Sequence, residues 1–140
     1  MKKVMIALMM VFMSASSVYA GASFALRHAN PMPNLMRIAM GNAEILNLSE
    51  AQVKALKAWA VENRPKMGMM IKKVISEERM LREEALTTDV DVPKKAETML
   101  QTRRKIIEMK TKCRAHLKKT LTDKQYTQVI GIYRSIRPSR

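Results

Sequence analysis

One short pattern occurs twice and constrains what lies between its copies. Leu48-Ser49-Glu50-Ala51-Gln52 and Leu121-Thr122-Asp123-Lys124-Gln125 share the form Leu-Ser/Thr-acid-x-Gln. Each copy is a complete helix start. Ser49 and Thr122 suit the N-cap, where a hydroxyl accepts from an otherwise unpaired backbone N–H. Gln52 and Gln125 fall three residues later, where the amide can reach back to the cap and close a capping box. Leu48 and Leu121 precede the caps and can pack on Val53 and Tyr126 as hydrophobic staples. Glu50 and Asp123 place negative charge at the positive end of the helix dipole.

The stretch between the two starts reads as two long helices. Ser49 to Leu86 carries Val53, Leu56, Ala60, Asn63, Met67, Met70 and Val74 at steps of three and four, the spacing of a packing seam. Glu77 interrupts the seam and Leu81 resumes it. Pro65 lies in the middle, and its missing N–H predicts a kink or short break there. Thr87 to Val92 reads as a turn ended by Pro93. Lys94 to Lys119 reads as the return helix, with a broken stripe of Met99, Leu100, Ile106, Ile107, Cys113 and Leu117. The second motif then starts a last helix, lined by Tyr126, Val129, Ile130, Tyr133 and Ile136 and ended by Pro138. Upstream, Asn34 to Leu46 reads as a short helix begun by Pro33, with Met32, Met36 and Met40 on one face. Strand-like alternation is absent, so the class is all-α. The architecture is an elongated long-helix hairpin with a short helix at each end. Both motifs should meet at the end opposite the turn. One hairpin has a thin core, and a second copy alongside would bury more of both seams.

The paired motifs and the order of elements resemble the Spy/CpxP family of bacterial periplasmic proteins, whose signature is two Leu-Thr-x-x-Gln motifs. The second copy matches fully, and the first carries Ser49 for Thr. The resemblance covers roughly Asn34 to Ile136. It implies a curved antiparallel homodimer shaped like a cradle. It also implies an ATP-independent chaperone or envelope-stress adaptor, and its alternatives are a regulator docking on a membrane sensor kinase or a protein that senses or buffers metal.

Residues 1–20 read as a secretory signal peptide. Lys2 and Lys3 precede an apolar run from Val4 to Met13, and Val18-Tyr19-Ala20 suits cleavage after Ala20. The run is too short to span a bilayer, which takes about 20 residues, so no transmembrane segment is expected after cleavage. Residues 21–33 read as a mobile N-terminal segment and residues 34–137 as one helical domain. The expected location is the periplasm. Of the 26 Lys and Arg, Lys2 and Lys3 fall in the leader; the remaining 24 against 12 Asp and Glu leave a net charge of +12. Such a charge attracts acidic partners. Export and the lack of a recognisable motif argue against nucleic acid. Anionic lipid head groups, lipopolysaccharide phosphates and acidic or unfolded proteins remain.

The sequence carries no catalytic constellation. Its two histidines, His28 and His116, belong to no nucleophile–base–acid set, no Gly-rich phosphate loop is present, and no cofactor is implied. The chain therefore reads as a binding protein rather than an enzyme. Cys113 and His116, three apart on a helix, are weak candidates for a shared metal, because two ligands are too few for a structural zinc site. The simpler expectation is a buried Cys113 and a surface His116. The residues assigned to partner contact are Arg103, Arg104, Lys110, Arg114 and Lys118 on the return helix, with Met67 and Met70, whose thioethers adapt to varied surfaces.

Overall fold

The computed structural model describes residues 32–136. The leader, most of the 21–33 segment and the stop at Pro138 lie outside the described residues. Four helices follow one another: α1 (Leu35–Gly41), α2 (Glu50–Thr87), α3 (Val92–Thr120) and α4 (Asp123–Ser135). The fold is an all-α hairpin with a short helix at each end. α2, of 38 residues, spans about 57 Å at 1.5 Å per residue. α3 returns antiparallel along it, and α1 wedges against all three other helices at the open end of the hairpin.

Both capping boxes form. In the first, Gln52 N–H donates to Ser49 Oγ at 3.2 Å and Ser49 N–H donates to Gln52 Oε1 at 3.0 Å. In the second, Gln125 N–H donates to Thr122 Oγ1 at 3.2 Å and Thr122 N–H donates to Gln125 Oε1 at 3.0 Å. The boxes also lock together. Gln52 Nε2 donates to Gln125 Oε1 at 2.9 Å, and Gln125 Nε2 donates back to Gln52 Oε1 at 3.3 Å. The same two amides reach the chain just before the opposite motif: Gln52 Nε2 to the Thr120 carbonyl at 3.0 Å, and Gln125 Nε2 to the Leu46 and Asn47 carbonyls at 3.2 Å each.

The first helix is shorter than expected, and Pro33 does not begin it. Asn34 is the N-cap, its side chain accepting from Arg37 N–H. α1 ends at Gly41 because Asn42 turns its side chain back onto the Ile38 carbonyl at 2.8 Å, capping the last turn. Residues 42–47 form separate turns. Asn47 N–H donates to Glu44 O and Leu48 N–H to Ala43 O, with Asn47 at φ 49°. That is a Schellman closure, and asparagine tolerates its left-handed position. At Pro65, where a kink or short break is expected, α2 is not broken but runs through as one helix. Asp91, whose side chain accepts from Lys94 N–H, is the N-cap of α3, so Val92 and Pro93 open that helix rather than close the turn.

The core is concentrated at the motif end. Leu35, Met36, Ala39, Leu46, Leu56, Cys113, Leu117, Leu121 and Val129 are buried together, with Leu48, Trp59, Tyr126, Ile130 and Tyr133 packed against them. Ile136, placed on this face from its spacing, is instead 60% exposed. A second, small cluster joins Val74 and Ile106 to Met67, Met70, Ile71 and Met99 midway along the hairpin. Towards the turn, ion pairs between the helices take over: Arg103 with Glu78, and Lys95 with Glu84 at 3.4 Å.

Leu121 is 6% exposed, whereas the Thr122 hydroxyl makes one exposed cap bond. Leu121→Ala should therefore cost about 2–5 kcal/mol and Thr122→Ala about 1 kcal/mol. Urea unfolding of the two variants checks the order, and a reversed order would contradict this packing.

Candidate functional site

The helices leave a groove of about 480 Å³ where α1 crosses the hairpin. Three of the four helices line it. α1 presents Met36 and Met40, one turn apart. α2 presents Trp59 and Ala60, which pack on the motif-end core, and Met67 and Ile71, which belong to the middle cluster. α3 contributes Met109, Lys110 and Cys113. Four thioethers and an indole thus line one trough. Gly68 also borders it, and a Cβ at that position would meet nothing within 4 Å. Arg37, Arg64 and Lys110 are the charged side chains on the lining; no carboxylate is among them.

Lys110 is half-buried, and removal from water holds its pKa below the ordinary lysine value, partly offset by the neighbouring Cys113 thiol. Burial pushes the Cys113 thiol up, with Lys110 and the Met36 backbone pulling the other way. His116 is half-buried: its ring stacks on Trp59 at 5.8 Å between centroids, and its Nε2 lies 3.4 Å from Thr120 Oγ1. Cys113 faces the groove while His116 is engaged with the indole. Among the described residues, no three His, Cys, Asp or Glu side chains gather as a metal site.

The seven positions assigned to partner contact fall into several environments. Lys110 and Met67 line the groove. Met70 packs in the Val74–Ile106 cluster. Arg103 is engaged by Glu78 across the hairpin. Lys118 lies over the Tyr126 ring, 5.8 Å from its centroid. Arg104 borders an exposed strip of Leu100 and Ile107 on α3, and Arg114 is exposed. The groove residues Met40, Trp59, Arg37, Arg64 and Met109 were not singled out as a site by sequence. The Met36–Met40 spacing marked a packing face, but nothing local marks which hairpin face it meets.

Among the described residues, no helix is long and apolar enough to cross a membrane. Comparisons with family models, characterised proteins and solved structures give no match.

Cys113 is the chain's one cysteine, and it is 5% exposed. The thiolate is the reactive form, and both burial and its raised pKa withhold it. Alkylation by iodoacetamide at neutral pH should be about tenfold or more slower in the folded protein than in urea, because attack needs local opening as well as deprotonation. The folded-state rate should climb as pH rises past the ordinary thiol value. Equal folded and unfolded rates would place Cys113 at the surface.

Proposed function

We propose that this chain is an ATP-independent periplasmic chaperone or envelope-stress adaptor of the Spy/CpxP kind, working as a homodimer that holds partly unfolded proteins. The observation that carries the reading is a series of exposed apolar side chains set among cations along the two long helices. Val61, Met69, Met80 and Leu86 on α2 and Leu100 on α3 are all about half exposed or more, interspersed with Lys and Arg. Thioethers accept differently shaped partners with little specificity. Scattered cations speed encounter with acidic segments without fixing a single geometry. The paired motifs support the family, and the leader-like residues 1–20 support export. The exposed apolar strips are surface that a second copy would cover.

In this mechanism, charge governs capture and apolar contact governs release. Arg64, Arg104, Lys110 and Arg114 replaced together by Gln should slow association with an acidic unfolded client about tenfold at low salt. The difference should fade at physiological ionic strength, where the Debye length is about 8 Å. Dissociation should change less. Stopped-flow binding at several salt concentrations reads both rates. On the same sample, near-stoichiometric protein should suppress aggregation of unrelated clients without nucleotide, and sedimentation equilibrium should give a dimer. Failure to protect any of several clients would remove the chaperone reading, and a monomer would remove the dimer.

A further inference from the structure

We infer that the groove between α1, α2 and α3 is a discrete site for a long-chain fatty acid, with the acyl chain in the methionine trough and the carboxylate at the Arg37–Arg64–Lys110 rim. This goes beyond the holding of unfolded proteins and does not depend on it. A client is held weakly and anywhere along an apolar surface. A fatty acid would bind once, in one place, with its head at one end.

Three observations point to this ligand. The volume, about 480 Å³, falls within the range of about 300–1,000 Å³ typical of small-molecule sites. The floor is made of flexible thioethers and an indole, which conform to a bent hydrocarbon chain better than branched side chains do. The lining charges are all of one sign, and among the described residues none of the three cations has a carboxylate partner. Lys110 is the informative one. It is held partly out of water, where an unmatched cation is costly, and a ligand carboxylate would supply the missing charge. An arginine at the rim can meet that carboxylate with two parallel hydrogen bonds.

The same charge argues against the other occupants. Residues 21–31, upstream of Asn34 in the sequence, contain Arg27 and no acidic residue. A second copy, with a net charge of +12 once residues 1–20 are removed, would bring more of the same sign to this groove. A cationic or neutral amphiphile would satisfy the trough but not the rim.

Trp59 lines the groove and is the chain's one tryptophan, so the full chain, stripped of lipid, reports on its own site. Titration with lauric acid below its micelle concentration should give a saturable change in Trp59 emission with one ligand per chain. Dodecanol should bind about tenfold more weakly and dodecyltrimethylammonium more weakly still, as expected when one charge-assisted contact is lost or reversed. Acetate should give no response. Arg64→Gln with Lys110→Gln should lower lauric acid affinity about tenfold and leave dodecanol unchanged. Gly68→Leu extends into open space from a helical position, so it should keep the helical signal while filling the trough and abolishing binding; Gly68→Ala should keep both. Equal affinity for lauric acid and dodecyltrimethylammonium, or undiminished binding by a folded Gly68→Leu variant, would overturn the proposal. So would a response only to phosphatidylglycerol vesicles, which would mean a membrane surface. A response that vanishes as the protein self-associates would make the second copy the occupant. Aggregation suppression measured on the same variants separates this proposal from the chaperone reading, since Gly68→Leu should lose the fatty acid and retain protection by the exposed strips.

Discussion

Two glutamine side chains hold the open end of this hairpin. Each Oε1 accepts twice, from its own cap N–H and from the other amide. Each Nε2 donates to the other amide and to a backbone carbonyl before the opposite motif. A glutamate closes an ordinary capping box as well as a glutamine does. It could not serve here, because it has no N–H to give, and two carboxylates at this separation would repel. The amide is needed because the two helix starts must recognise each other. The pair is partly buried and reaches the Leu46 carbonyl, a setting where an unmade hydrogen bond would cost about 1–3 kcal/mol.

From that lock, order falls away along the hairpin. The motif end has a dense core closed by α1. The middle has Val74 and Ile106 fully buried with methionines around them. The turn end depends on ion pairs such as Lys95–Glu84, with side chains about half exposed, and such pairs contribute little, about 0–1 kcal/mol. Segments with few buried contacts open first. The arrangement therefore couples a fixed base to a compliant distal half that shows Met80, Leu86 and Leu100 to solvent. A protein that must accept variable partners benefits from both. The groove lies at the boundary between the dense end and the middle, lined by Trp59 and Ala60 from the first cluster and Met67 and Ile71 from the second.

Much of this was legible from residue patterns. The two capping boxes, the long helices, the turn and the shared cluster of Leu48, Leu121, Tyr126 and Ile130 follow from local chemistry and period. What escaped depended on competing local bonds or on distant placement. Asn42 ended α1 early by bonding Ile38 O, a choice that spacing alone does not reveal. α2 ran unbroken through Pro65, where one missing N–H suggested a kink or short break. His116 found Trp59, 57 residues away in sequence. The groove escaped because its walls come from three helices. Their meeting is set partly by Gln125 reaching the Leu46 and Asn47 carbonyls, a contact across 78 or 79 residues that no periodicity encodes.

The central claim is that Gln52 and Gln125 act as one unit. A double-mutant cycle tests it directly, using urea unfolding of Gln52→Ala, Gln125→Ala and the pair. Independent caps would give additive losses of about 1 kcal/mol each. The reciprocal amide pair predicts a coupling energy of about 0.5–3 kcal/mol, with the double variant losing less than the sum. It also predicts that Gln52→Glu, which preserves its own capping box, is nearly as damaging as Gln52→Ala. Additive losses, together with a harmless Gln52→Glu, would show two separate helix caps and contradict the account.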